Sequence, residues 1–274
     1  MLLGDKMKRV LQAVLVIVLV GLTVLATTGA SGEHPMEKVE GKLDGQKVRV
    51  NLPPTTDPKG VAIYFHGQGG NYSAKMGSGW LDALRRDGWA VASSNFHGAN
   101  WGNPASTSDL EKLWDWAEEQ SGGEVKLFIA GSMGGVTSLN SIVHSSKGAP
   151  ACWYGVKTAT DMTTMGAVPG ARRFISQAYG GQPFPRDRNP ANTAFKLANT
   201  GTTYRFVHSR FDPLVPYDAN TGSFTTRLTE FGADVSVRQV QGAHDDASHY
   251  SAYDLVSFAN TCAGTEQTEQ ASAE

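Results

Sequence analysis

Short, continuous apolar runs separated by amphipathic stretches recur along most of this chain, and the alternation predicts strands followed by helices. Residues 61–65, Val-Ala-Ile-Tyr-Phe, have no polar interruption, as expected of a parallel strand buried on both faces. Residues 89–93, 126–130, 152–156, 204–207 and 235–240 read as further strands. Helices are predicted near 79–86, from Ser108 onward, from near Met133, and over 172–179, 224–231 and 249–258. In the second of these, Leu110, Leu113, Trp114 and Ala117 share one face, and Ser108 and Glu111 have the spacing of a capping box. Ahead of them, residues 39–43 and 48–52 flank an Asp44-Gly45 pair as an opening hairpin, and 53–58 form a loop. Between residues 161 and 195, Pro169, Pro183, Pro185, Pro190 and several glycines predict a small insertion over the sheet edge, with one short helical piece. Strands alternating with helices mean an α/β fold with a mostly parallel central sheet flanked by helices. In such sheets, active groups collect at the carboxyl ends of the strands.

The amino terminus follows a different pattern. Lys6, Lys8 and Arg9 precede an apolar run from Val10 to Ala26 whose only polar residues are Gln12 and Thr23, and small residues lead to Ala30. That order predicts a secretory signal over residues 1–30, cleaved after Ala30, and hence an exported protein. The run is longer than an ordinary signal core, so an uncleaved membrane anchor is the alternative. A single domain is expected over 31–263, with a disordered polar tail at 264–274. The 274 residues are 40% hydrophobic, enough for one substantial core. A formal charge of -2, with no basic tract interleaved with aromatics, excludes nucleic acid as an expected partner. The two cysteines, Cys152 and Cys262, read as a structural disulfide in an oxidising compartment, two buried thiols being the alternative.

Chemistry gathers at residues 130–135, Ala-Gly-Ser-Met-Gly-Gly, where one serine fenced by small residues separates a strand from a helix. Such a turn lifts a hydroxyl out of a sheet to attack a carbonyl. Ser132 is therefore the candidate nucleophile, although Ala130 stands where the usual pattern has its first glycine. A serine needs a base, and a histidine base needs a carboxylate. Of seven histidines, His244 lies just past the last strand and is the first choice, with His249 second. Asp212, past the strand at 204–207 and stiffened by Pro213 and Pro216, is the preferred carboxylate; Asp161 is its competitor. Donors for an oxyanion are expected from the backbone amides of Gln68, in His66-Gly67-Gln68-Gly69-Gly70, and of Met133. The lysine and Ser/Thr of a phosphate-cradling loop are missing there. Trp101 lies past a strand end as a candidate substrate contact, or as a tryptophan packing loop to core. Arg172, Arg173, Arg186 and Arg188 read as a solvated face of the insertion rather than an anion site.

With those residues in place, the chain over 37–262 resembles the α/β-hydrolase superfamily. The resemblance rests on His66-Gly67-Gln68-Gly69-Gly70, on 130–135, on 211–216 (Phe-Asp-Pro-Leu-Val-Pro) and on Gly242-Ala243-His244. The order Ser132, Asp212, His244 is the family's order. It implies a nucleophile, acid and base in those roles, no metal and no organic cofactor. Asp245 and Asp246 depart from the family pattern and bear on the working pH. The expected activity is hydrolysis of a small-molecule or polymeric carboxylic ester. A serine peptidase of the prolyl-oligopeptidase kind and a non-catalytic binding protein on the same scaffold are the alternatives. Membrane contact is expected only through an uncleaved amino-terminal segment.

Overall fold

A computed structural model describes residues 37–264. The expected signal segment and residues 265–274 of the expected tail lie outside them. The hairpin forms as its turn residues demand: β1 (Lys38–Leu43) and β2 (Gln46–Asn51) pair antiparallel, with φ of 43° at Asp44 and 88° at Gly45. Two positive φ values give the turn a twist that matches the two strands. Strand and helix then alternate through β3 (Gly60–Phe65), α1 (Gly79–Arg86), β4 (Trp89–Ser94), α2 (Pro104–Ser121), β5 (Val125–Gly131), α3 (Gly134–His144) and β6 (Cys152–Val156). The insertion carries α4 (Ala171–Ala178) and α5 (Ala194–Ala198), with short 3₁₀ turns between them. β7 (Thr203–Ser209), α6 (Ser223–Glu230), β8 (Val235–Val240) and α7 (Ala252–Cys262) close the domain.

The strands form one sheet in the order β1-β2-β4-β3-β5-β6-β7-β8, antiparallel at β1/β2 and β2/β4 and parallel elsewhere. Alternate residues of each buried strand feed two separate cores. Val61, Ile63 and Phe65 join Phe128, Trp153 and Phe206 beneath α2, α3 and α6. Ala62 and Tyr64 join Leu127, Ile129 and Tyr154 beneath α1 and α7. Both faces are therefore apolar, which is why these strands read as unbroken runs.

Two helix starts differ from expectation. Asn103 caps α2, its side chain accepting from the Ser106 N–H at 3.0 Å, and Pro104 takes the first turn. Ser108 lies inside the helix, and Glu111 accepts instead from the Ser146 amide at 2.7 Å. The apolar stripe begins only at Leu110, more than a turn into the helix, so it hid the true start. α7 begins at Ala252, capped by Ser251, and His249 sits in a preceding 3₁₀ turn. Among the described residues, no helix is long and apolar enough to cross a membrane.

A disulfide joins Cys152, at the start of β6, to Cys262, at the end of α7, across a separation of 110 residues. Closing a loop of that length removes denatured-state entropy worth about 4–5 kcal/mol at most. Replacing both cysteines by alanine is expected to lower Tm by on the order of 10 °C, read by thermal circular dichroism. An unchanged melting curve would show that the bridge contributes nothing to stability.

Strand order reverses at β3. The chain steps from β3 outward to β4, then crosses back to β5 on the other side of β3. Connections leave in opposite directions at this point, so a crevice opens beyond the carboxyl ends of β3 and β5. Gln68 follows the first of these strands and Ser132 the second.

Candidate active site

Ser132 has φ of 53°, a left-handed backbone that costs a non-glycine residue about 1–3 kcal/mol. Its surroundings hold it there. The Ser132 N–H donates to the Val156 carbonyl at 3.1 Å, and its carbonyl accepts from Gly135 and Ala159 at 2.9 and 3.0 Å. The neighbouring glycines are required by contact. A Cβ at Gly134 would lie 2.1 Å from the Phe65 carbonyl oxygen, and one at Gly135 would lie 2.6 Å from Thr158 Cβ. Ala130, by contrast, is wholly buried in the apolar core, and its register partner on β6 is Gly155.

The side chains of Ser132, His244 and Asp212 form one hydrogen-bonded line. The serine hydroxyl donates to His244 Nε2 at 3.0 Å, and His244 Nδ1–H donates to Asp212 Oδ2 at 2.7 Å. Both acid and base are buried. Asp212 Oδ1 accepts the backbone N–H groups of Leu214 and Val215 at 2.9 and 3.0 Å, so the turn after β7 is folded around the carboxylate. Burial alone would push the Asp212 carboxyl up. Donation from His208, His244 and the Val215 amide outweighs it and holds the group well below the usual carboxylate range. Asp212 is thus anionic at neutral pH. Its contribution to stability is complete above the ordinary aspartate value of about 4 and is lost as pH falls below that, toward the depressed folded value.

The competing residues are engaged elsewhere. Asp161 caps the turn after β6, accepting from the Thr163 N–H and hydroxyl at 3.0 and 2.7 Å and from Asn189 Nδ2 at 2.9 Å. His249 is fully buried, its Nδ1–H donating to the Asp246 carbonyl at 3.0 Å. Asp245 pairs with Lys157, which lowers its carboxyl, while Asp246 accepts from the Ser248 N–H at 2.8 Å. Neither of these carboxylates hydrogen-bonds the His244 ring, and charge interaction with that ring helps to lower the Asp245 carboxyl.

The amides of Gln68 and Met133 belong to the loop after β3 and to the turn after β5. Neither donates to another group among the described residues. Gly67 brings the two loops together: a Cβ there would lie 3.2 Å from Ser132 Cβ. The Gln68 side chain is fixed at both ends, accepting from Trp101 Nε1–H at 3.2 Å and donating to the Pro169 carbonyl at 2.8 Å. Trp101 is only 1% exposed. It packs loop to core and steadies Gln68 instead of presenting a face to substrate, a correction that follows from its burial. The insertion contacts these loops directly. Asn103 donates to the Ala178 carbonyl at 3.1 Å and the Tyr179 hydroxyl to the Trp101 carbonyl at 3.0 Å. Arg172, Arg173 and Arg186 are exposed, whereas Arg188 donates to Thr107 Oγ1 at 2.9 Å and ties the insertion to α2. Among the described residues, no group of three or more His, Cys, Asp or Glu side chains could hold a metal ion.

His208 has no role legible in the sequence pattern. It lies four residues before Asp212, fully buried, with its Nε2 3.2 Å from Asp212 Oδ2. A signal existed in that spacing past a strand end, but an imidazole inside a strand reads as core.

No family model matches the sequence, and no curated protein does. Solved structures do. A substrate-bound fluorophosphonate-binding serine hydrolase of Staphylococcus aureus superposes with a TM-score of 0.68 at 13% identity, over 85% of this chain and 100% of that one. An esterase of Pyrococcus furiosus gives 0.63 at 16% identity, over 84% and 92%. The chain has the α/β-hydrolase fold. An acylaminoacyl peptidase of Pyrococcus horikoshii shares this α/β-hydrolase fold, with a TM-score of 0.65 at 12% identity over 85% of the present chain. The chain spans 43% of that peptidase's length.

Proposed function

We propose that this protein is a serine hydrolase that cleaves carboxylic esters through an acyl-enzyme on Ser132. The observation that carries the reading is the unbroken line from the Ser132 hydroxyl through His244 to the buried, ionised Asp212. In the reaction, Ser132 Oγ attacks the ester carbonyl as His244 Nε2 takes its proton. Asp212 fixes the tautomer with Nδ1 protonated and balances the imidazolium. The tetrahedral oxyanion is received by the Gln68 and Met133 amides, which are worth most in a site sheltered from water. His244 then returns the proton to the leaving alcohol. Water repeats the sequence on the acyl-enzyme and releases the acid.

An ester substrate is favoured over a peptide because the serine hydrolase and the esterase named above are matched over nearly their whole length. The longer peptidase is matched over less than half. Action outside the cell is part of the proposal; it is supported by the amino-terminal pattern and by a disulfide in the mature region.

A fluorophosphonate probe is expected to label the purified protein once, on Ser132, as mapped by peptide mass spectrometry. Short p-nitrophenyl esters are expected to turn over at least about 100-fold faster than aminoacyl-naphthylamides. Absence of labelling would leave the non-catalytic scaffold as the better reading, and preference for the amides would favour the peptidase.

A further inference from the structure

Asp212 serves two imidazoles. His244 Nδ1 and His208 Nε2 both approach the same oxygen, Oδ2, at 2.7 and 3.2 Å, while Oδ1 is filled by two backbone amides. Three contacts define the hydrogen positions on His208. Its Nε2 lies 3.2 Å from the Asp212 carboxylate and 3.0 Å from the Val215 carbonyl, and neither oxygen carries a proton. Nε2 must therefore carry one and share it between them. Nδ1 lies 2.6 Å from Thr221 Oγ1, whose hydroxyl has the freedom to donate to it. A neutral ring satisfies every partner in this arrangement.

Resting on the serine hydrolase reading, we propose that His208 is a positioning residue for the reaction. Its Nε2–H clamps Asp212 Oδ2 and the Val215 carbonyl together, setting the carboxylate at the angle His244 needs and restraining how strongly it attracts the imidazolium. The ring is 0% exposed, with the Tyr217 ring edge-on at 5.7 Å, so it has no path to substrate and acts only through Asp212. Other groups facing this cluster do not substitute for it. Arg210 is stacked on Tyr217 and paired with Asp218, Lys157 is paired with Asp245, and the buried His249, its pKa lowered by burial, donates to the Asp246 carbonyl. A shared proton at Oδ2 withdraws negative charge from the oxygen that faces His244. Removing that proton should leave Asp212 a stronger partner for the imidazolium and raise the pH at which His244 becomes a free base.

The test uses the full protein, an activated ester and a fluorophosphonate probe. In His208→Leu, kcat is expected to fall roughly 10- to 100-fold while KM moves less than about threefold, since the carboxylate loses its angle but the substrate site does not. The acid limb of the kcat/KM profile is expected to move up by about half a pH unit or more. His208→Gln, whose amide N–H reaches the position of Nε2, should recover most of both. A leucine variant that melts like the parent with unchanged kcat and acid limb would overturn the proposal. So would a glutamine variant as impaired as leucine with an unmoved limb, because that pattern marks packing alone. Should the leucine variant fail to fold, Thr221→Val frees the Nδ1 side of the ring and is expected to raise the limb in the same direction; no movement there would overturn it equally. If the parent protein labels with the probe, a negative result counts against His208 only; if it does not label, the hydrolase reading itself fails.

Discussion

Ser132→Ala is expected to lower kcat on ester substrates about 10⁴-fold or more, with the melting temperature unchanged or raised. The loss should be this large because no second hydroxyl stands within reach of His244 Nε2, whose hydrogen bond goes to Ser132 Oγ alone among the described residues. A residual rate above that of water is expected, since the proposed oxyanion donors, the Gln68 and Met133 amides, are untouched by the substitution. Stability should not suffer. Among the described residues the hydroxyl bonds only the histidine, and the left-handed backbone is held by the carbonyl of Val156 and the amides of Gly135 and Ala159, which alanine leaves intact. Steady-state kinetics with a p-nitrophenyl ester, beside a thermal melt, check both halves. A variant retaining a tenth of the parent rate would refute the assignment of the nucleophile.

The second large effect separates two aspartates. Asp212→Asn is expected to lower kcat by about 10⁴-fold, and Asp161→Asn to leave it within about twofold. The difference lies in what each carboxylate receives. Asp212 accepts on both oxygens, from two imidazoles on one side and two backbone amides on the other. An asparagine must point its NH₂ at one of those pairs. With the backbone amides satisfied by the oxygen, the NH₂ faces His244 and turns it to the tautomer that cannot take a proton from Ser132. Among the described residues, Asp161 receives its side-chain partners on one oxygen, which an asparagine carbonyl can replace. Equal losses in the two variants would show that the carboxylate assignment is wrong.

Much of the architecture could be read directly because local and global preferences agree along this chain. The inner strands β3 to β6 are buried on both faces, so each announces itself with its ends placed within about a residue. The hairpin turn was legible because Asp44-Gly45 is one of few pairs that tolerate two positive φ values. Where reading failed, a polar group was working inside the protein. Asn103 and Pro104 mark the start of α2 as clearly as any cap, yet the apolar stripe begins at Leu110 and drew attention away. Trp101 sits past a strand end, as a binding residue would, but its indole N–H is spent on Gln68 beneath the surface. His208 looks like a strand residue because it is one. Its relation to Asp212 depends on how tightly the turn at 212–215 curls back, which no periodicity encodes.

The bridge between Cys152 and Cys262 reaches the chemistry by a longer route. It fastens the far end of the last helix to the amino end of β6, while the near end of that helix receives the loop that carries His244. The base therefore hangs between two moorings, strand β8 before it and a cross-linked helix after it. Thiol reductants, which touch neither serine nor imidazole, would slacken the second mooring. Turnover should then fade at temperatures where the sheet is still intact, so activity in a reducing compartment would report on the grip of the final helix before the fold gives way.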